Sequence, residues 1–463
     1  MLNVHLRITD AATGRPTPAR VRVAAPDGTQ FAPLGRSVEF PTRRNEAVGG
    51  CVALGGERWF YTDGACEVAL PAGVPLRVQA AKGGGYTPLD ETVTLGAGQI
   101  ALRFAVARWA DPRADGWVSV DARCHFLSPH DALLEAVGEG LDVANLLATP
   151  QRFPSLDGTA YPTVPNLLAF SGQQPALERD GRAVVVNTFN THPVLGKVAL
   201  LHSHRPVFPL AFGGEEADDW AVCDWCDQCH RKGGLVVWVD AFDPAGGLVG
   251  GEGLVAAVLG KIDAIEYGAS PRKQPLLPWL YRLWDAGVRV PLAGASGKDS
   301  NARPLGAVRT YARGPDWVAA VKAGDAFVSA GPLIDFRLDG TRLRAAGRSP
   351  GPAGKLEVVA NGQVVATADG APGEKGILRA ELDADLPAGG AAVRWSGPGG
   401  FAHSSPVAVG PAAREPAAVA ALTTLIDQTR DWAGEHGRYA NPRRREQLLA
   451  RCAEAAARLG ESP

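Results

Sequence analysis

Hydrophobic residues between Val118 and Gly331 occur in short runs, and each run leads into a polar or ionisable residue. Such runs, alternating with segments of helical spacing, predict a domain of alternating strands and helices over residues 109–332. In a (β/α) barrel the carboxyl ends of the strands meet at one mouth, so side chains that follow the strands would lie together there. The residues in these positions are Asp121, Thr149, Asn187, Asp240, Glu266, Ser296, Lys298 and Asp299.

The regions on either side of this domain alternate apolar and polar residues with a period of two, which is typical of half-buried strands. Turns rich in glycine and proline separate these strands, so we predict Ig-like β-sandwich modules over residues 1–108 and 333–410. From 411 to 463 the apolar residues have helical spacing, and Asn441-Pro442 provides an N-cap and a first-turn proline for a second helix. The predicted fold is α/β: a central (β/α) barrel, flanking β-sandwiches and a C-terminal helical hairpin.

The charge and the cysteine content exclude several classes of protein. The chain of 463 residues carries a formal net charge of -2 with both signs well mixed, so it offers no basic face for a nucleic-acid backbone. No segment resembles a membrane span, and the first residues lack the pattern of a signal peptide. The seven cysteines are odd in number and scattered, which indicates a reducing compartment. We therefore expect a soluble, cytoplasmic protein with no nucleic-acid or membrane partner.

Cys223, Cys226, Cys229 and His230 form a cluster of candidate metal ligands. The Cys-x-x-Cys-His portion matches the pattern of c-type haem attachment, and evenly spaced thiols also suit zinc or an iron–sulfur cluster. The spacing of three residues equally places the thiols on one face of a helix, ahead of the apolar run that begins at Leu235. Because free cysteine is a common buried residue, this spacing favours a packing role.

Part of the central domain is similar to a known family. Residues 116–129, with Asp121-Ala-Arg123-Cys-His125 at their centre, resemble the first motif of the CehA/McbA branch of the PHP (polymerase and histidinol phosphatase) superfamily. The resemblance implies a PHP-like (β/α) barrel and a metal-dependent hydrolase, and the flanking sandwiches and helical tail fit the same branch. Further similar stretches lie at residues 224–238, 260–266, 281–287, 294–301 and 323–332.

The first motif departs from the family pattern at a metal ligand. The family has Asp-x-His-x-His with both histidines on metal, whereas this chain has Arg123 in place of the first histidine and keeps His125. Metal ligands are neutral or anionic, and an arginine beside a divalent cation would repel it. The glutamate and the other histidines that the resemblance implies are also replaced, by residues that include Asn187, Asn190, Lys197, Asp240 and Lys298.

The first hypothesis for the mouth is a rebuilt single-metal site. His125 would bind zinc or manganese together with carboxylates, a mixture of nitrogen and oxygen ligands that both metals accept. The chain would then be an active hydrolase of esters, carbamates or phosphoesters, with Asp121 or Asp299 as the base. The carboxylates that would join His125 are Asp240, Glu266 or Asp299. The catalytic candidates are Asp121, Lys298 and Asp299.

The second hypothesis, which the sequence favours, has no metal or other cofactor. Basic side chains at the mouth would replace the metal cations and pair with its aspartates. The protein would be catalytically impaired or inactive, with a residual pocket for a small or carbohydrate-like ligand, because arginine and lysine present donors to anionic groups. The expected pairs join Arg123, Lys197 and Lys298 to Asp121, Asp240 and Asp299. The pocket candidates are Arg123, Asn187, Asn190, His192, Lys197, Asp240, Glu266 and Ser296.

The third hypothesis is a scaffold or binding protein that acts through its β-sandwich modules. The sequence lacks a phosphate-cradling glycine loop, which excludes the common nucleotide-binding proteins. Removal of residues 1–108 would affect function most under the third hypothesis. The substitution His125→Ala would abolish activity only under the first.

Overall fold

A computed structural model of the chain shows a mixed α/β protein in which strands outnumber helices. This class agrees with the sequence prediction. Thirty strands and seven α-helices lie within the described part of the chain. The structure describes residues 1–43, 48–154, 160–214, 216–244, 247–268, 275–410 and 414–461.

The N-terminal region folds into strands with alternating burial. In the first of them Val4, Leu6 and Ile8 are buried, while the residues between them are more exposed. This is the period of two that the sequence predicts for a half-buried strand. The strands are β1 (Leu2–Asp10), β2 (Ala19–Ala24), β3 (Gln30–Phe31), β4 (Cys51–Leu54), β5 (Glu57–Thr62), β6 (Ala65–Leu70), β7 (Pro75–Ala81), β8 (Leu89–Thr94) and β9 (Ala101–Val106).

These nine strands form two sheets around one core. One sheet has the order β6-β1-β9, and the other has the order β4-β5-β2-β7-β8 with β3 paired to β2. Leu70 from the first sheet and Leu76 and Val78 from the second belong to the same buried cluster. Two sheets that share a core in this way are consistent with the predicted N-terminal sandwich.

The central region alternates strands with helices. Its helices are α1 (Pro129–Gly138), α2 (Val222–Arg231), α3 (Gly251–Val258), α4 (Leu277–Asp285) and α5 (Trp317–Ala323). Its strands are β10 (Trp117–Cys124), β11 (Val143–Ala148), β12 (Gln151–Pro154), β13 (Ala160–Thr163), β14 (Leu177–Arg179), β15 (Arg182–His192), β16 (Gly196–Leu201), β17 (Leu235–Val239), β18 (Ala264–Gly268), β19 (Leu292–Ala295), β20 (Arg309–Arg313) and β21 (Ala326–Ser329).

Seven central strands lie side by side in the order β19-β18-β17-β16-β15-β11-β10. Only β16 runs against its neighbours, because β15 and β16 form an antiparallel hairpin, so the other six strands point the same way. The end of β19 returns to the end of β10, where the backbone N–H of Gly297 donates to Arg123 O (3.0 Å) and that of His125 donates to Lys298 O (2.7 Å). The carboxyl ends of the six strands therefore lie at one end of this region.

The C-terminal region adds strands to the same sheet. From β10 the sheet continues through β20, β21, β29, β28, β24 and β25, and a separate sheet has the order β22-β23-β27-β26. Trp395 and Leu343 from the two sheets lie in one buried cluster, which is consistent with the predicted second sandwich. The strands are β22 (Leu333–Asp339), β23 (Arg342–Ser349), β24 (Lys355–Ala360), β25 (Gln363–Asp369), β26 (Ala371–Pro372), β27 (Leu378–Asp385), β28 (Gly389–Gly397), β29 (Gly400–Ser404) and β30 (Val407–Val409).

Two paired helices, α6 (Pro416–Glu435) and α7 (Pro442–Gly460), form the C-terminal tail and confirm the predicted hairpin. The Asn441 side chain accepts a hydrogen bond from Arg443 N, as the N-cap prediction requires. Leu422 and Cys452 are buried in the cluster that also holds the apolar faces of α2, α3 and α4. The tail therefore packs on the central region.

Among the described residues, none of the helices combines the length and the apolar character needed to cross a lipid bilayer.

Candidate functional site

A buried ion pair joins the carboxyl end of β10 to the middle of β18. Arg123 Nε donates to Glu266 Oε2 (2.6 Å) and Arg123 Nη2 donates to Glu266 Oε1 (2.8 Å). The side chain of Arg123 is 10% exposed and that of Glu266 is 0% exposed. Burial alone lowers the pKa of Arg123, but the nearby carboxylates of Glu266 and Asp240 outweigh it and raise the pKa overall. The guanidinium is therefore held as a cation at the mouth of the strands.

His125 contacts this pair and has a defined hydrogen-bonding pattern. Its Nε2 lies 3.5 Å from Arg123 Nη1, which can only donate, and its Nδ1 lies 3.2 Å from Leu147 O, which can only accept. The ring also packs against Phe189, with 5.2 Å between centroids. The imidazole lone pair that a metal would need therefore faces a guanidinium.

Asp121 has both carboxylate oxygens engaged by backbone N–H groups. Oδ1 accepts from Arg123 N (3.1 Å) and Ser296 N (3.0 Å), and Oδ2 accepts from Gly306 N (2.8 Å). The residue is fully buried, and burial raises its pKa although these hydrogen bonds oppose the shift. Asp121 thus joins the end of β10 to the segment after β19. The sequence analysis predicted that Arg123 would pair with Asp121, and the structure pairs it with Glu266. The backbone donors that already engage Asp121 explain the difference.

Lys298 is directed towards α1. Its Nζ lies 3.1 Å from Glu135 Oε2 and donates to Arg303 O (3.0 Å), and both side chains of the ion pair are fully buried. Ser296 Oγ accepts from Lys298 N (3.1 Å), which fixes the turn that carries the lysine. Asp299, the next residue, is partly buried. The expected partner of Lys298 was Asp299; the structure places Glu135 at its ammonium group.

Lys197 and Asp240 form the predicted ion pair. Lys197 Nζ donates to Asp240 Oδ2 (2.8 Å), and the two side chains are 38% and 23% exposed. They line a small cavity of about 40 Å³ together with Trp238 and Phe242. Asp240 and Phe242 have positive φ values of 51° and 61°, and Phe126 at the end of β10 has 67°. Strained backbone of this kind concentrates at functional sites, so it marks this end of the strands as the candidate site.

The three candidates on β15 do not share a face. Asn190 Nδ2 donates to Val207 O (2.9 Å) and Pro209 O (2.8 Å), and His192 Nε2 lies 3.0 Å from Asp218 Oδ1. Because side chains alternate along a strand, Asn187 points away from these two and shares its face with Phe189. Both polar atoms of the fully buried Asn187 amide lack a hydrogen-bond partner. Asn190 and His192 therefore hold the segment after β16, and Asn187 remains a pocket candidate.

The residues at this mouth do not fit a divalent metal. The described residues contain no group of three or more His, Cys, Asp or Glu side chains placed to hold a metal ion. Arg123 lies between Glu266 and His125, and a cation in that position opposes the binding of a second one. We therefore derive no catalytic step through a metal.

Glu135 is the main site residue that sequence reasoning missed. It lies on α1 between the buried residues Ala132 and Ala136, on the face that packs against the sheet. The signal in the sequence was an acidic residue at a core position of an amphipathic helix, since such residues are rarely fully buried without a partner. That signal predicts a buried partner, but not that the partner would be Lys298.

The cysteine cluster packs in the core, as the helical spacing predicts. Cys223, Cys226 and Cys229 are all 0% exposed on the inner face of α2. Burial raises the pKa of Cys223 and Cys226 well above the ordinary range and that of Cys229 to about 12. These thiols are therefore protonated at neutral pH.

We expect these three thiols to resist iodoacetamide in the folded protein, because the reactive thiolate is scarce and the sulfurs are inaccessible. Peptide mass spectrometry before and after denaturation measures this, and all three should react once the chain is unfolded. Cys66 is the internal comparison: burial raises its pKa to about 12 as well, so it differs from the three chiefly in being partly exposed. Modification of Cys226 ahead of Cys66 under native conditions would contradict the buried placement.

No protein-family model, curated protein or solved structure matches this chain.

Proposed function

We propose that the chain is a PHP-type (β/α)-barrel protein of the CehA/McbA kind in which an internal guanidinium has replaced the catalytic metal. It is then a catalytically impaired relative of metal-dependent hydrolases that keeps a ligand pocket. The similar sequence stretches support the family, and the common direction of six strands around one mouth is compatible with such a barrel.

The contact of Arg123 with both Glu266 and His125 carries the proposal. Arg123 stands where the family motif has a metal-binding histidine. Its guanidinium neutralises Glu266, which would otherwise be a buried carboxylate that needs a cation. The positive charge of a metal is thus supplied by the chain itself.

The groups at the mouth suit the hydroxyl groups of a small polar ligand such as a carbohydrate. The cavity there, of about 40 Å³, would have to widen to enclose the whole ligand. Lys197 and Asp240 are partly exposed and present a donor and an acceptor. Asn187 adds a buried amide whose donor and acceptor are both unpaired, and Phe189 supplies an aromatic surface on the same face. Hydroxyl groups donate and accept at once, which matches this mixture.

The decisive experiment is metal stoichiometry by elemental analysis of tag-free protein, before and after incubation with zinc or manganese. We expect the wild type to hold far less than one metal per chain. The variant Arg123→His restores the two-histidine motif and frees Glu266, so it should gain zinc towards one per chain.

Arg123→Met is the matched control, because it removes the same cation without adding a ligand, and it should stay free of metal. Near one metal per wild-type chain, lost in His125→Ala, would overturn the proposal. The rebuilt single-metal hydrolase would then replace it, and hydrolysis of esters, carbamates and phosphoesters would be assayed.

A further inference from the structure

A larger cavity lies at the opposite end of the central strands. It has a volume of about 620 Å³ and is bounded by the residues that precede β18 and β19 and by the tail after Arg414. This volume is in the range of sites that bind small molecules. Two acidic residues line it, Asp263 and Glu461. Four basic residues line it: Arg289, Lys322, Arg414 and Arg458.

Three of the four cations have acceptors in the fold. Arg414 Nη1 donates to the carbonyls of Arg458 (2.8 Å), Leu459 (3.1 Å) and Glu461 (2.6 Å) at the end of α7. Arg458 donates to Leu259 O (3.3 Å) just after α3 and to a glutamate of its own helix. Lys322 Nζ donates to Gly234 O (2.8 Å). Basic side chains are favourable at helix carboxyl ends, which explains Arg414 and Arg458. Lys322 is balanced by Asp263, whose Oδ2 lies 3.7 Å from its Nζ.

Arg289 differs from the other three. Its Nε and Nη2 are buried without a hydrogen-bond partner, and no ion pair of Arg289 occurs in the described part of the chain. Arg414 Nε is likewise buried and unpaired. Buried donors on a charged group are costly when unpaired. Both nitrogens are shielded from the cavity in this conformation, so the guanidinium must turn to present them to a ligand; because neither is bound within the fold, the turn breaks no hydrogen bond. The Nε and Nη2 edge can then bind the two oxygens of a carboxylate or phosphate.

We propose that this cavity binds a small organic oxyanion, whose phosphate or carboxylate group is held by Arg289 with Arg414 beside it. The excess of basic over acidic lining residues favours an anion, and the aliphatic side chains of Val258 and Val288 supply contacts for its carbon skeleton. Because the lining comes from both the central region and the tail, the bound anion would fasten the tail to the central strands. The site is separate from the mouth and does not depend on the function proposed for it.

The test is titration calorimetry and thermal unfolding of the full chain with inorganic phosphate, glucose 6-phosphate and citrate, with sodium chloride as the ionic-strength control. We expect one of these oxyanions to bind and to raise the Tm, whereas chloride at equal ionic strength does not. Binding of phosphate and glucose 6-phosphate would identify a phosphate ester as the ligand, and binding of citrate alone would identify a carboxylate.

Arg289→Gln should weaken this binding about ten- to a hundred-fold, since it removes a charge-assisted pair of hydrogen bonds. Without the anion this variant should be at least as stable as the wild type, because the substituted side chain gives up no hydrogen bond. Arg282→Gln is the matched control: Arg282 is an exposed arginine of α4 that stacks on Trp279, and its removal should leave binding unchanged. Absence of binding by all three oxyanions, or equal binding by Arg289→Gln, would overturn the proposal.

Discussion

Glu266→Gln is expected to lower the free energy of unfolding by about 3–5 kcal/mol, because it leaves the buried charge of Arg123 without its bidentate partner. The two side chains are almost fully removed from solvent, so water cannot replace the lost carboxylate. Denaturation by urea, followed by tryptophan fluorescence, measures the change.

An exposed pair of the same geometry provides the control. Arg342 binds Asp383 through Nε (2.8 Å) and Nη2 (2.8 Å), with both side chains largely in solvent. Asp383→Asn should therefore change stability little. Equal losses in Glu266→Gln and Asp383→Asn would show that the Arg123 charge is not isolated from water.

The double variant Arg123→Met/Glu266→Leu should recover most of the loss. Replacing both partners of a buried pair by apolar residues removes the unpaired charge and the cost of burying two ions. Asp121 keeps its backbone donors and Asp240 keeps Lys197, so neither carboxylate is left unpaired by the change. A double variant as unstable as Glu266→Gln would contradict this account.

The second large effect concerns pH: the titration of Glu135 should lower stability between pH 4.5 and about 7, and Asp285, whose pKa burial raises to about 6, should add to the fall. Burial raises the pKa of the Glu135 carboxyl from 4.5 to about 7, although Lys298 opposes the shift. In that interval the folded protein keeps the proton and the unfolded chain releases it, so rising pH favours unfolding. The contribution of Glu135 to the slope is about 1.4 kcal/mol per pH unit, which amounts to roughly 3 kcal/mol over the interval.

Glu135→Gln should make this slope shallower by the contribution of Glu135, measured by urea denaturation at several pH values. Lys298, Glu139 and the thiols of Cys51 and Cys124 also surround Glu135. Burial raises the pKa values of the two thiols. Glu446→Gln, on the exposed side of α7, is the control and should leave the slope as it is. An unchanged slope in Glu135→Gln would remove Glu135 as its source.

Local sequence patterns predicted the elements of the fold well. Alternation of apolar residues identified strands such as β1, and the Asn441-Pro442 pair placed the start of α7, because both signals arise from neighbours along the chain. The hairpin of β15 and β16 was not foreseen. Strand β15 continues five residues past Asn187 to His192, which places Asn190 and His192 on the face opposite to that of Asn187.

The sequence predicted which residues lie at the candidate site better than it predicted which of them form ion pairs with each other. The Lys197–Asp240 pair was predicted from the charges of the mouth residues, and the structure contains it because Lys197 lies opposite Val239, the residue before Asp240. The partners of Arg123 and Lys298 depend on which acceptors the backbone has already engaged and on how α1 lies against the sheet. Asp121 is saturated by three backbone N–H groups, and Glu135 is 163 residues from Lys298 along the chain. The spacing of residues along the chain predicts neither the backbone hydrogen bonds of Asp121 nor the contact between Glu135 and Lys298.

The pairing of β21 with β29 has a consequence for how this chain can be divided. A fragment cut at the predicted boundary of residues 332 and 333 would end in a strand whose N–H and C=O groups had lost their partners. Open edges of this kind invite pairing between molecules. We therefore expect a fragment that ends at residue 332 to aggregate, so the central and C-terminal regions should be produced as one piece.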